Sequence, residues 1–231
     1  MDKKVLVIGG GSGIGKQVVE DLISEGYAVI AASRSISSDS TEEGVEVQNF
    51  DVTSDDELEL PDELAGLVYC PGTISLRPFG RIKLDDFRKE FEVNYFGAVK
   101  VLQQSIDALM KGEGSVVLFS TVAVKTGMPF HSSIASAKGA IEGLTKSLAA
   151  EYAPKVRFNV VAPSLTDTPL AEGLLNNDKK RESNTQRHPL KKIGTPKDIS
   201  NLVTYLVTPR SQWVTGQVFN IDGGMSSLRL L

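Results

Sequence analysis

At 231 residues, with 41% hydrophobic and 23% charged residues, the chain has the make-up of an ordinary globular protein and can bury a large core. A net charge of −4 argues against a nucleic-acid or anionic-membrane surface, and no apolar run approaches the roughly 18 residues of a membrane span. Cys70 is the only cysteine, so no intrachain disulfide forms, and with just His131 and His188 beside it a zinc site of the usual ligands is hard to build.

Residues 3–8 (KKVLVI) are a short β-branched run that predicts a strand buried on both faces. Too short for a signal-peptide core, it leaves the cytoplasm as the expected location. A run of glycines with Ser12 and Ile14 follows, ending at Gly15. An amphipathic run then starts at Lys16, with Val18, Val19, Leu22 and Ile23 at helical spacing and Gly26 as the stop. Strand, glycine turn and helix is the context a phosphate-binding motif needs. Bare backbone approaches a pyrophosphate closely, and the helix N-terminus offers it free N–H groups.

Residues 27–32 predict a second strand ending at Ser33-Arg34. In a dinucleotide fold an acid at this tip binds the 2′-OH of NAD, whereas Ser33-Arg34 suits a 2′-phosphate, which favours NADP(H) over NAD(H). Residues 36–44 are polar and serine-rich, and the ten residues between Arg34 and Val45 leave room for no more than a vestigial helix. Residues 45–50 predict the third strand. The Asp51-Val52 pair after it suits either contact with an adenine amino group or a capped turn. A short helix or turn is expected around Pro61 over 58–64, and residues 65–70 predict a fourth strand closed by Pro71-Gly72.

A long helical pattern spans 84–110, with Phe87, Phe91, Val99, Leu102 and Ile106 as its apolar stripe. Asn94 sits in its middle, a poor helix former that is either solvated or specially placed. Residues 115–119 predict a buried strand stopping at Ser120-Thr121. The helix over 135–152 carries Ala137, Gly139, Ala140 and Gly143, small enough to pair with a second copy or to crowd against its own chain. After a strand at 156–162, residues 170–192 are polar and charged and predict solvated surface rather than an apolar cleft. Thr195-Pro196 opens the last helix, with Ile199, Leu202, Val203 and Leu206 facing inward. Residues 217–221 predict the final strand, and Leu228, Leu230 and Leu231 suggest that the tail docks.

Taken together, these segments resemble the short-chain dehydrogenase/reductase family over nearly the whole length. The glycine motif of that family matches residues 8–15, with Ile8 where threonine is usual. Asp51-Val52, the mid-helix Asn94, Ser120-Thr121 and residues 214–224 follow its pattern, and residues 69–72 keep only the glycine of its Asn-Asn-Ala-Gly. Residues 159–168 match its post-sheet segment with Ser164 replacing glycine. The resemblance implies one α/β domain over 1–231, a doubly wound parallel sheet of about seven strands, with a substrate lid at 168–195. It implies cofactor contacts at Gly9, Ser12, Gly13, Ile14, Gly15, Ser33, Arg34, Asp51, Val52, Pro71, Gly72, Lys138, Pro163, Leu165 and Thr168. It also implies Asn94, Thr121 and Lys138 as the catalytic groups, a small-molecule carbonyl or alcohol substrate, and a homodimer or homotetramer.

One departure touches the chemistry. The family pattern is Tyr-x-x-x-Lys, and Lys138 is present, but Ile134 occupies the tyrosine position. In the family the lysine holds the nicotinamide ribose and lowers the phenol's pKa, so that the phenol exchanges a proton with the substrate oxygen. General acid–base catalysis is worth roughly 10²–10⁴-fold, so its loss need not abolish hydride transfer, and a quinone or activated dicarbonyl tolerates the loss better than a plain ketone. Candidate substitutes are His131, as imidazoles ionise near pH 6.5, and Tyr69, at the end of the fourth strand. Ser132 and Ser133 either relay protons or cap the helix, and no substitute at all is the remaining possibility. The sequence thus supports an NADP(H)-preferring oxidoreductase with an atypical proton step, or a catalytically silent dinucleotide-binding sensor, scaffold or partner subunit.

Overall fold

The structure, a computed structural model, describes residues 3–36 and 44–229. Seven strands, β1 (Lys4–Ile8), β2 (Ala28–Ser33), β3 (Val45–Asn49), β4 (Gly66–Tyr69), β5 (Ser115–Phe119), β6 (Arg157–Pro163) and β7 (Val218–Ile221), form one parallel sheet. Their order is β3-β2-β1-β4-β5-β6-β7. The chain therefore runs outward from β1 to β3 and returns to lay β4 against the other side of β1. That reversal opens a crevice above the C-terminal ends of β1 and β4, where ligands of doubly wound folds bind.

The helices in chain order are α1 (Gly13–Ser24), α2 (Leu84–Phe91), α3 (Gly97–Lys111), α4 (Val122–Thr126), α5 (Ser132–Tyr152), α6 (Glu172–Leu175), α7 (Asp178–Arg187) and α8 (Pro196–Val207). Side-chain alternation in β1 sorts them into layers. Val5 and Val7 meet Val18 and Leu22 of α1 and Ile199 and Val203 of α8 in one core. Leu6 and Ile8 join Val101 and Leu109 of α3 and Ile141 of α5 in the other. Val5 to Ile8 are all buried, which is why the sequence shows an unbroken apolar run there.

Local chemistry sets the helix ends. Thr195 Oγ1 accepts from Asp198 N at 3.2 Å while Asp198 Oδ2 accepts from Thr195 N at 2.8 Å, a reciprocal capping box that starts α8. Beyond its end, the Arg157 guanidinium of β6 donates to the carbonyls of Leu206, Thr208, Ser211 and Val214 and to Ser211 Oγ. One side chain so satisfies several acceptors left over where a helix stops.

The structure departs from the sequence expectations at several points. α1 begins at Gly13, not Lys16, so the glycine motif itself forms its first turn. No helix forms over 58–64: Leu58 N donates to Gln104 Oε1 and Glu59 N to Gln48 Oε1, so side chains replace helical partners. The long helix at 84–110 is divided by a π-turn, Glu92–Phe96, before continuing to Lys111. α5 starts at Ser132, yet neither serine caps it. Both hydroxyl oxygens are buried without a partner among the described residues. Leu228 is 58% exposed rather than docked. Residues 37–43 of the loop predicted over 36–44, with Leu230 and Leu231, lie outside the described residues. No helix among the described residues is long and apolar enough to cross a membrane.

Candidate active site

Two adjoining clefts open over the C-terminal strand ends. The first, about 360 Å³, begins at the β1–α1 turn. A Cβ on Gly15 would stand 2.2 Å from the Gly9 carbonyl oxygen, so α1 packs directly on turn backbone and admits no side chain. Gly9 holds φ +78°, a conformation glycine adopts without strain. Ser12 precedes α1 in extended conformation without a side-chain cap bond, and the first turn carries no acid. Its N–H groups thus face the cleft beside bare glycine backbone, an arrangement that fits the pyrophosphate of a dinucleotide.

Along this cleft the structure places Gly9, Ser12, Gly13, Ile14, Gly15, Ser33, Arg34, Asp51, Val52, Pro71, Gly72 and Thr168. Asp51 caps a turn and also stands on the cleft wall. Its carboxylate accepts from Thr53 N at 2.9 Å and Thr53 Oγ1 at 2.8 Å. Those two bonds hold it below the ordinary carboxylate range.

The second cleft, about 250 Å³, shares Ile14, Gly72, Thr73 and Thr168 with the first, and Pro163, Leu165, Asn94, Thr121, His131, Ile134 and Lys138 all stand on its wall. Lys138 and Ile134 are one helical turn apart on α5 and both are buried. Burial lowers the Lys138 ammonium to about 8, with Glu90 working in the opposite direction. A Cβ on Gly72 would lie 3.2 Å from Asn94 Oδ1 and 3.9 Å from Lys138 Nζ, so both groups converge on that glycine.

Asn94 explains itself in this setting. It lies, fully buried, inside the π-turn, where a widened backbone accommodates a poor helix former. Its Nδ2 donates to the Glu90 carbonyl at 2.9 Å, to Glu90 Oε2 at 3.0 Å and to Thr73 Oγ1 at 2.9 Å. Its Oδ1 is buried without a partner among the described residues. Since an unpaired buried acceptor costs about 1–3 kcal/mol, this atom is poised for a bound donor. Burial raises the Glu90 carboxyl, and Thr73 donates to it at 2.9 Å.

Thr121 caps α4, its Oγ1 accepting from Ala123 N at 3.3 Å, which leaves the hydroxyl proton free for the cleft. Ser120 is engaged by Glu142 at 2.6 Å. His131 lines the cleft with Nδ1 2.8 Å from the Pro129 carbonyl. Tyr69 does not face this cleft. Its ring is part of the core and its hydroxyl donates to the Val93 carbonyl at 2.6 Å, because the alternation in β4 turns it towards α3. Burial pushes the Cys70 thiol up to about 12, so it is no ready nucleophile.

The expectation of a purely solvated segment at 170–192 is corrected. α7 is polar throughout and buries none of its residues, but Leu170, Ala171 and Leu174 line the cleft together with Leu165, Ile74, Leu76 and Phe119. Only a few apolar residues on the inner side suffice, and the charged run around them hid this face. Ser164, Asn184, Arg187 and His188 also line the cleft and were not anticipated. The signals for two of them were a serine at a glycine position and one of only two histidines.

These features agree with relationships found by comparison. The family model described as enoyl-(acyl carrier protein) reductase matches residues 9–226. The chain belongs to the short-chain dehydrogenase/reductase family. A tropinone reductase homolog of Arabidopsis thaliana is 32% identical over 97% of this chain and 92% of that protein. The 3-oxoacyl-[acyl-carrier-protein] reductase FabG of Thermotoga maritima is 31% identical over 96% and 97%. The solved structure of ElxO with NADP bound superposes with a TM-score of 0.88, at 28% identity, covering 99% of this chain and all of that one. As a short-chain dehydrogenase/reductase the protein is an NAD(P)-dependent oxidoreductase.

Proposed function

We propose that the protein is an NADP(H)-preferring carbonyl reductase or alcohol dehydrogenase whose proton step differs from the family's. The observation that carries this reading is the convergence of Asn94, Thr121 and Lys138 on one apolar cleft continuous with the glycine-lined one. The bound nicotinamide supplies or accepts the hydride at the carbonyl carbon. Lys138, held at the junction near Gly72, binds the nicotinamide ribose. Thr121 donates its free hydroxyl proton in a hydrogen bond to the substrate oxygen and orients it. Ile134, where the family motif places a phenol, has no proton to exchange and only closes the apolar wall.

Preference for NADP(H) is supported by Ser33 and Arg34, which line the cleft at the end of β2. An ElxO structure with bound NADP is consistent with it. We assign residues 168–195 the role of substrate lid, on the apolar side chains they turn towards the cleft. A homodimer or homotetramer fits the open small-residue face of α5, since a Cβ on Gly143 would meet no atom within 4 Å. The single-cysteine composition suits the cytoplasm.

Single-turnover oxidation of NADPH against quinones, diketones and plain ketones tests the reading, with Lys138→Met and Ile134→Tyr run alongside. The expected result is turnover that favours quinones and is lost in Lys138→Met. Equal rates for quinones and plain ketones would sink the preference for activated acceptors and point to a group that replaces the phenol. A silent wild type that binds NADPH, beside an active Ile134→Tyr, would instead establish a disarmed dinucleotide-binding protein.

A further inference from the structure

We infer that Ser164 and His188 form a proton relay into the substrate cleft, supplying the step for which Ile134 has no proton; the inference rests on the cleft being a hydride-transfer site. His188 is buried, and its Nε2 lies 2.9 Å from Ser164 Oγ. Its Nδ1 lies 2.8 Å from the Asn184 carbonyl of α7, which only accepts. Nδ1 therefore carries a proton in either charge state, and in the neutral ring Nε2 is left bare to accept from Ser164. The other neighbour of Ser164 Oγ is the Met225 sulfur at 3.3 Å, a weak acceptor that does not compete with an imidazole nitrogen. A hydroxyl, a base and a group that orients the base are the three parts of an activated serine.

The position of the pair gives it a direction. Ser164 and His188 line the substrate cleft, and both also line a further, smaller cleft of about 180 Å³. The pair thus stands between the two spaces. The charged groups around it are Asp222 after β7, Asp198 of α8 and Lys192 in that smaller cleft, with Arg187 and Lys138 on the substrate side. Lys192 and Asp198 pair with each other at 2.8 Å. Burial works to raise the Asp222 carboxyl, but bonds from Ser226 and Gly224 hold it below the ordinary range, so a carboxylate faces the imidazole. His131 is the weaker candidate, because among the described residues its ring bonds to the Pro129 carbonyl and to no hydroxyl.

The step balances as follows. As hydride forms the new C–H bond, the π-electron pair of the carbonyl moves onto oxygen and takes the Ser164 hydroxyl proton. Ser164 takes the Nε2 proton of the imidazolium, and His188 is left neutral with Nδ1–H still on Asn184. A proton from solvent then restores the imidazolium, whose charge the Asp222 carboxylate favours. Oxidation of an alcohol runs the same path backwards. Ser164 is the catalytic residue of the pair, and His188 acts through it.

Two measurements test the relay. In ¹⁵N-histidine NMR of the unliganded protein, neutral His188 is expected with its proton on Nδ1, and Ser164→Ala should move the Nε2 resonance. A neutral ring protonated on Nε2 overturns the relay. In single-turnover reduction of a plain ketone by bound NADPH, Ser164→Ala and His188→Gln are each expected to slow the reaction by about 100-fold. The wild-type rate should fall as pH rises, and this break should vanish in His188→Gln. A variant His188→Gln that is slow but keeps the break reduces His188 to packing and overturns the relay, as does an unchanged rate in both variants. A wild type that binds NADPH and reduces no acceptor overturns the hydride-transfer reading and the relay with it.

Discussion

Replacing Gly15 by alanine should damage fold and cofactor cleft together. The new Cβ would stand 2.2 Å from the Gly9 carbonyl oxygen and 2.8 Å from its carbon. Both are backbone atoms, so no rotamer change relieves the contact, and α1 must move from the turn by about 1 Å to restore normal separation. Overpacking of this kind costs about 1–3 kcal/mol, and the rigid partner puts this case at the upper end. At about 2–4 °C per kcal/mol for a chain this long, Tm should fall by roughly 6–12 °C. The displaced N–H groups should also weaken NADPH binding by about 100-fold, as 1 Å misplacements do at preorganised sites. Thermal melts and NADPH fluorescence titration read both effects. Gly80→Ala is the control: its Cβ meets nothing within 4 Å, so the melt should hold or rise slightly. A Gly15→Ala protein that melts within a degree of wild type and binds NADPH equally well would refute the reasoning.

Three further outcomes are expected. Arg34→Asp should reverse cofactor preference, weakening NADPH by about 10–100-fold relative to NADH through loss of a charge-assisted contact; fluorescence titration with both cofactors checks it. Lys138 ionises near 8 in the folded chain against an ordinary 10.5, so between these values the unfolded chain holds a proton the folded one has released. Stability of the unliganded wild type should therefore rise with pH across that window relative to Lys138→Met, by about 3 kcal/mol at most, while NADPH affinity should fall above pH 8 in wild type only. Arg157→Ala strands the carbonyls of Leu206, Thr208, Ser211 and Val214 and should cost about 3 kcal/mol in urea unfolding, with Arg157→Lys recovering only part.

Much of this molecule could be read before folding because the relevant signals are local. Val5 to Ile8 predict a doubly buried strand, since a central parallel strand must be apolar on both sides. The glycine turn announces a backbone approach that only glycine allows, and Thr195-Pro196 announces the start of α8. Asn94 was conspicuous as a mid-helix asparagine. Its reason, a π-turn tied to Glu90 and Thr73, emerged only in three dimensions.

What the chain alone determined is most of the elements, because periodicity and turn chemistry act over a few residues, while the doubly wound order and the residues around a dinucleotide cleft followed from its resemblance to a family. What only the tertiary structure decided are contacts between distant segments. Tyr69 was a plausible cleft residue until strand register turned it into the core. The polar stretch beyond Leu170 concealed an apolar inner face, since burial depends on what lies opposite. Ser164 and His188 stand 24 residues apart, and nothing in their neighbourhoods along the chain announces that a carbonyl of α7 aims one ring nitrogen at the other's hydroxyl. Such pairing is a property of packing, where geometry rather than sequence distance sets which groups meet.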